Sequence, residues 1–405
     1  MIERSQVLVV GAGYAGLNAI LRFADRREAE HKPRDLALID RNLYHLVKIR
    51  LHEAAARDTD VTSSLNELLE DHALAFHQTT VTGLDFAERR VTTTGGPYHY
   101  DYLLLALGSV TNFFNIPGLE ENSFALESLA QAVRLRGHIE EQVVEAAGSS
   151  DPPERERRLR FVIGGAGYTG IELAGEMVEM LARLCARVGL DRDAGQIIVV
   201  DAQPRVLPML DEESSAYAAG ELEKMGVQFR LGVKVASCSH EGVTLDPGGF
   251  VPTASMIWAG GIRANLLMAS AGVEMNKQGR LIVDPMLRVP GYPEVFAVGD
   301  CAVALDPKTN QPIPATAQLA LQEGELAAEN ILRALEGQEP IRFDPRSRGE
   351  VVSLGHDRAV GWAKLLGDRQ IKLRGLIGGL AKRAGQAEWT MHLWRETHHL
   401  DDIYR

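Results

Sequence analysis

Hydrophobic positions along the chain fall in short runs that alternate with helical-period segments, and two stretches repeat one pattern. Residues 7–16, VLVVGAGYAG, carry an apolar strand into Gly11, Gly13 and Gly16; residues 161–176, FVIGGAGYTGIELAGE, carry another into Gly165, Gly167 and Gly170. Each leads into a helix, over 15–27 in the first case, and then into a second apolar strand closed by an acid: 37–39 with Asp40, and 197–200 with Asp201. Strand, GxGxxG, helix, strand and acid together describe a phosphate cradle. One glycine permits the tight turn, the second lets the backbone approach a pyrophosphate, and the third lets helix and strand close up. The pyrophosphate would sit at the helix N-terminus, against free amide donors and the positive dipole end. A single match is weak; two copies with their flanking elements are not.

The remaining pattern predicts a helix over 63–70, a small β excursion over 79–93, a strand over 100–108 ending in a small-residue turn at Gly108, and a helix over 128–147. Residues 148–158, GSSDPPERERR, are prolyl and charged and read as an exposed loop. A helix over 211–225 and a strand over 256–261 follow, then strands over 282–289 and 295–302, a long helix over 314–335, and hairpin-like strands near 351–354 and 360–362. Chain crossings at 105–108 and 258–261 suggest one unit inserted in another. The expected fold is α/β: two Rossmann-like dinucleotide-binding domains, the second inserted in the first, plus a C-terminal docking or dimerisation segment. The boundaries expected are 1–112 and 262–337 for the first domain, 113–261 for the inserted one and 338–405 for the C-terminal segment.

Composition narrows the classes. At 405 residues and 44.3 kDa, two or three domains are natural. A net charge of −12 and pI near 5.5 argue against nucleic acid as a partner. Cys185, Cys238 and Cys301 are scattered without a CxxC, which argues against a disulfide framework or zinc ribbon and suits a reducing cytoplasm. The first strand starts too early to leave room for a signal peptide, and no apolar run approaches a bilayer span. The expectation is a soluble or peripherally attached protein.

Candidate chemistry follows from position. An acid at Asp201 takes the hydroxyls of an adenosine ribose and favours NAD over NADP. Gly299 and Asp300, after the strand VFAV, place a carboxylate where a ligand bound at the first turn can reach it. Gln318 and Gln322 stand four apart on one helix face near its N-terminus, which would stabilise negative charge on a reduced ring; ordinary surface glutamines are the competing reading. Glu172, in the first turn of the second cradle's helix, reads by position alone as a solvated helix-terminal acid, favourable there in its own right. Tyr44 and His45 read as packing and surface residues, and Cys301 as a small buried one. In the tail, Leu373, Leu376, Ile377, Leu380, Ala381 and Ala384 recur at helical spacing with Lys372, Arg374, Lys382 and Arg383 off the stripe and Trp389 and Trp394 after it. That suits a membrane surface, although Gly375, Gly378 and Gly379 weaken an isolated helix, and packing on the protein or on a second subunit remains open.

GAGYAG, GGAGYTG and VFAVGD, with GIELAGE, AQLALQ at 317–322 and no redox cysteine pair, resemble the type II NADH:quinone oxidoreductases, single-subunit flavoproteins with two dinucleotide-binding domains. The resemblance covers nearly the whole chain. It implies FAD at the first turn, held by Gly11, Gly13, Gly16, Asp40, Gly108, Gly299 and Asp300, and NADH at the second, held by Gly165, Gly167, Gly170 and Asp201. It implies Glu172 beside the rings, Gln318 and Gln322 lining a quinone pocket, and Lys382 as a further site residue. The reaction implied is hydride transfer from NADH to flavin, then two electrons to quinone without proton pumping, at the inner face of the cell membrane. The alternative is a soluble NADH-dependent ferredoxin or rubredoxin-type reductase; a dinucleotide-responsive binding protein and a sulfide-oxidising quinone reductase stand further off.

Overall fold

The structure, a computed structural model, describes residues 3–30, 35–72, 74–364 and 369–398. Two sheets organise it. Across the first, the strands lie in the order Arg288–Val289, Tyr292–Ala297, Gly96–Leu105, Glu3–Val10, Leu36–Asp40, Ala75–Gln78. All neighbours in that row are parallel except the outermost pair. The second sheet is parallel throughout, in the order Phe124–Ala125, Ser255–Trp258, Arg160–Gly164, Gln196–Asp201, Val227–Leu231. The central strands are buried on both faces: Val7, Leu8, Val9 and Val10 are each 0% exposed. That is why they read as continuous apolar runs and not as alternation.

Every strand of the second sheet comes from between two crossing segments, Ser109–Thr111 and Ile262–Ala264. These pair antiparallel, with Ser109 opposite Ala264 and Thr111 opposite Ile262. The outgoing and returning chains therefore form one ribbon. The expected β excursion is an antiparallel pair, Val81–Asp85 with Arg90–Thr93.

The structure corrects several expectations. The stretch expected as a loop contains a helix, Pro152–Leu159, with proline in its first turn. Its charges suit a helix: Glu154 is in the first turn, Arg157 and Arg158 are in the last, and both arginines pair with Glu154 at 2.7 and 2.8 Å. The strand expected over 282–289 is split into Leu281–Ile282 and Arg288–Val289. Asp284 breaks it by accepting the N–H groups of Met286 and Arg288 at 2.8 and 2.9 Å.

The C-terminal stripe is divided as well. Leu373 belongs to a strand, Gln370–Arg374, which is the third of an antiparallel sheet with Gly349–Ser353 and Ala359–Lys364. The helix Gly375–His398 begins after it. Two of its glycines face inward: a Cβ on Gly378 would lie 2.5 Å from the Ala359 carbonyl oxygen and one on Gly379 2.1 Å from that of Asp357, so residues that weaken an isolated helix let this one close on its hairpin. The basic flank is also not free. Lys372 pairs with Asp211 and Glu213, Arg374 with Glu213, Arg383 with Asp357, and Lys382 turns inward to Glu172. Trp394 falls outside the described side chains.

Candidate active site

The two glycine turns make the same bonds to their strands and acids. Gly11 N donates to Ile39 O at 2.8 Å and Gly165 N to Val200 O at 2.7 Å. Ala12 N donates to Asp40 Oδ2 at 2.7 Å, and Ala166 N to Asp201 Oδ2 at 2.6 Å. The other oxygen of each acid accepts a second backbone N–H, from Asn42 and from Gln203, both at 2.7 Å. A Cβ on Gly16 would sit 1.8 Å from Gly11 O, and one on Gly170 1.9 Å from Gly165 O, so the third glycine is required by packing alone. At the middle glycines, Gly13 and Gly167, a Cβ would meet nothing within 4 Å. There the backbone faces open space, as a turn that receives a diphosphate must.

A cavity of about 780 Å3 opens at the first turn. It is lined by Gly11, Gly13, Asp40, Gly108, Gly299 and Asp300, and by Ala315 to Gln318 at the start of the helix Ala317–Leu335. Its volume suits a large cofactor, and the open side of Gly13 and the acid at Asp40 fit the adenosine diphosphate half of FAD. Ser109 Oγ donates to Asp300 Oδ2 at 2.7 Å, and Gly299 N to Glu323 Oε2 at 2.6 Å, so the Gly-Asp turn is held from two elements. Burial pushes the Glu323 carboxyl up to about 7. Gly165, Gly167, Gly170 and Asp201 are not among the lining residues; from the second unit the cavity takes Tyr168, Thr169 and Glu172, with Leu126, Glu127, Trp258, Ala259 and Gly261.

At that wall lies a compact polar cluster. Glu172 Oε1 accepts from Lys382 Nζ at 2.7 Å, from Ser353 N at 3.1 Å and from Ser353 Oγ at 3.2 Å. Its Oε2 lies 3.5 Å from His52 Nδ1, and Lys382 also donates to Val351 O at 3.0 Å. Burial pushes the Glu172 carboxyl up, but the Lys382 ammonium, His52 and the Ser353 donors outweigh it and leave it below the ordinary range. Burial pushes His52 down, against the raising effect of the Glu172 carboxylate beside it.

The two glutamines part company. Gln318 lines the cavity and Gln322 does not. Gln322 makes a two-way bond with the backbone of Arg346, accepting at 3.0 Å and donating at 2.9 Å, and Gln318 Oε1 accepts from Arg348 N at 3.0 Å. Both therefore clamp the segment that enters Gly349–Ser353, whose residues Gly349 to Val352 wall the cavity. None of the three cysteines lines it, and Cys301 is buried with its thiol pushed up to about 11. His45 is fully buried, as a packing residue should be. His52, Ser353 and Tyr168 were not legible as site residues: His52 lies in a short helix, LHEAAA, buried at every position, which offers no periodicity to set it apart.

The profile described as pyridine nucleotide-disulphide oxidoreductase matches residues 5–324. A type II NADH:quinone oxidoreductase of Staphylococcus aureus (strain NCTC 8325) is 34% identical over 365 residues, 89% of this chain and 90% of that one. Among solved structures, NDH2 from Plasmodium falciparum in complex with NADH superposes with a TM-score of 0.83 at 16% identity, over 98% of this chain and 96% of that one. The sulfide:quinone oxidoreductase from Aquifex aeolicus superposes at 0.76 with 20% identity, over 98% and 92%. At those identities the two structures speak for the fold; the matched profile and the sequence relative carry the assignment. On that ground this chain belongs to the pyridine nucleotide-disulphide oxidoreductases and, among them, to the type II NADH:quinone oxidoreductases.

Proposed function

We propose that this protein oxidises NADH and reduces a quinone through bound FAD, with the balance NADH + H+ + quinone → NAD+ + quinol. One observation carries the reading: a single cavity joins the first glycine turn to Glu172 and Lys382, so a ring held from the first unit and the ionisable pair of the second share one space. FAD, when bound, supplies the hydride acceptor and two-electron carrier. In this reading 1–112 and 262–337 bind FAD, 113–261 binds NADH and 338–405 docks.

The chain's own residues supply placement and protons. Gly11, Gly13, Gly16 and Asp40 seat the diphosphate and ribose, with Gly108, Gly299 and Asp300 beside the rest of the cofactor. Gly165, Gly167, Gly170 and Asp201 do the same for NADH. Asp201 faces the place a 2′-phosphate would occupy, and the nearby Arg205 guanidinium is taken by the carbonyls of Pro208 and Leu210, both at 2.7 Å. NADPH therefore meets the repulsion of the Asp201 carboxylate, with the Arg205 guanidinium oriented toward those carbonyls. Lys382 Nζ holds a proton at the cavity wall for the quinone oxygens, and the Glu172 carboxylate keeps that ammonium charged and in place. Gln318 and Gln322 act through the Arg346 and Arg348 backbone, keeping that wall in place.

Among the described residues no helix is long and apolar enough to cross a membrane. Leu376, Ile377 and Leu380 are 63, 70 and 61% exposed on the C-terminal helix, and a lipid-soluble quinone needs access from a lipid surface. We assign that face to the inner surface of the cell membrane, with a second copy of the chain as the competing occupant.

The test is NADH oxidation by the flavin-loaded protein with a quinone, ferricyanide and oxygen side by side, joined to stopped-flow measurement of each half-reaction. Quinone should be the best acceptor, NADH should be preferred to NADPH, and Gln318→Ala should slow quinone reduction more than flavin reduction by NADH. Equal losses in both half-reactions would make the glutamine a general flavin support, and turnover indifferent to quinone would refute the function.

A further inference from the structure

The two glycine turns differ in one bond. In the second, the carbonyl of Ala166 accepts from the backbone N–H of Leu207 at 2.8 Å, so the turn is closed by nearby chain. In the first, the matching carbonyl of Ala12 is held by a side chain: His45 Nδ1 lies 2.9 Å from it. His45 Nε2 in turn accepts from Trp389 Nε1 at 3.2 Å. Trp389 sits on the C-terminal helix, 344 residues along the chain from His45 and two turns beyond Lys382. The ring of Tyr14, which begins the helix after the first turn, packs 5.3 Å from His45 and 5.6 Å from Trp389.

Donor and acceptor chemistry leaves this imidazole one state. A carbonyl can only accept and an indole N–H can only donate, so Nδ1 carries the proton, Nε2 offers its lone pair and the ring is neutral. Burial agrees, pushing the His45 pKa down to about 4. The bond to Ala12 has a directed consequence. The Ala12 carbonyl and the Gly13 N–H belong to one planar trans peptide and point opposite ways, so holding the carbonyl on His45 aims the N–H away from it. Gly13 is the residue where the turn faces open space in the cavity.

We propose that His45, oriented by Trp389, is a positioning residue that aims the Gly13 N–H at the diphosphate of FAD, which makes the C-terminal helix part of the FAD site. This rests on FAD occupying the first turn. The same helix then serves both halves of the cavity, through Lys382 at Glu172 and through Trp389 at the first turn.

The experiment is equilibrium FAD binding to the deflavinated full chain, read by quenching of flavin fluorescence, with thermal melting of the apoprotein measured beside it. His45→Leu, which leaves the Ala12 carbonyl without its donor, should weaken FAD by about 10-fold or more. Trp389→Phe keeps the ring but loses the N–H, and should weaken FAD by about threefold. His45→Asn, whose amide can stand in for Nδ1, should keep most of the affinity. A purely structural role predicts instead that affinity falls only as far as melting does, with no rescue by asparagine, and that pattern would overturn the proposal. If His45→Leu does not fold, Trp389→Phe and His45→Asn decide it. Affinity within about twofold of wild type in every variant overturns the proposal alone. A wild-type protein that binds no FAD, or a Gly13→Ala variant with unchanged affinity, overturns the assignment of FAD to the first turn and this proposal with it.

Discussion

Glu172 and Lys382 form an ion pair that is almost out of solvent, with side chains 8 and 17% exposed. Such a pair adds little net stability over a well-packed apolar isostere, but removing one partner strands the other charge at a cost of about 3–5 kcal/mol. Lys382→Met should therefore lower unfolding free energy by about that much at neutral pH, whereas Lys382→Met combined with Glu172→Gln should recover most of it. The pH dependence changes sign. In the native protein the folded carboxyl lies below its ordinary 4.5, so its contribution is present above that value and is lost as pH falls through the lowered one. Without Lys382, burial raises the carboxyl, and that variant should instead lose stability as pH rises above the unfolded value. Urea unfolding of the three proteins at mildly acidic and mildly alkaline pH reads both effects; an equal loss in the single and double variants would show that the pair is not the unit. Quinone reduction should fall in the single variant, since the proton-holding ammonium is gone.

At the scale of one strand–turn–helix element, the glycines separate folding from binding. Gly16→Ala puts a Cβ 1.8 Å from a backbone oxygen, so the helix cannot close on its strand and the first unit should fail to fold or lose several degrees of melting temperature. Gly13→Ala meets nothing in the protein. It should melt close to wild type as apoprotein yet hold FAD poorly, because the added methyl occupies the diphosphate's approach. Parallel losses of melting and flavin in both variants would mean that Gly13 serves packing too. The turns were legible in the sequence because spacing, strand, helix and acid are contiguous. The helix Pro152–Leu159 was not: proline and clustered charge signal a loop to a local reading, while the same residues are good helix-start and i,i+4 material once Leu159 has a core to enter.

For the whole molecule, the C-terminal helix has two distinct faces. Inward it presents Gly378, Lys382, Gln386 and Trp389; outward it presents Leu376, Ile377 and Leu380. With Lys372, Arg374, Lys382 and Arg383 all engaged in ion pairs, docking should depend on apolar insertion more than on lipid charge. Each large apolar side chain taken from water contributes roughly 1.5–3 kcal/mol, against about 1 kcal/mol for a free basic residue at an anionic surface. Ile377→Glu with Leu380→Glu should abolish flotation with liposomes, while high salt should reduce flotation of the native protein only slightly. Strong salt sensitivity would mean that the ion pairs open to lipid, and a native protein that never floats would turn this face toward a second copy or a soluble acceptor.

What the sequence by itself determined was carried by neighbours in the chain: two glycine turns, their acids at Asp40 and Asp201, the apolar strands, the long helix over Gln318 and Gln322, and the family. Tertiary structure alone decided which of these meet. Lys382 reaches Glu172 across 210 positions and Trp389 reaches His45 across 344, and no periodicity encodes a contact between residues so far apart. It also turned Gln322 away from the cavity to the Arg346 backbone, and drew the basic flank of the tail into ion pairs. The physical reason is the same in each case. A side chain's local pattern fixes the face of the element on which it stands, but its hydrogen-bond partner is whatever unpaired donor or acceptor the packed fold brings within about 3 Å, and a buried polar group takes that partner because leaving it unpaired costs more than any local preference.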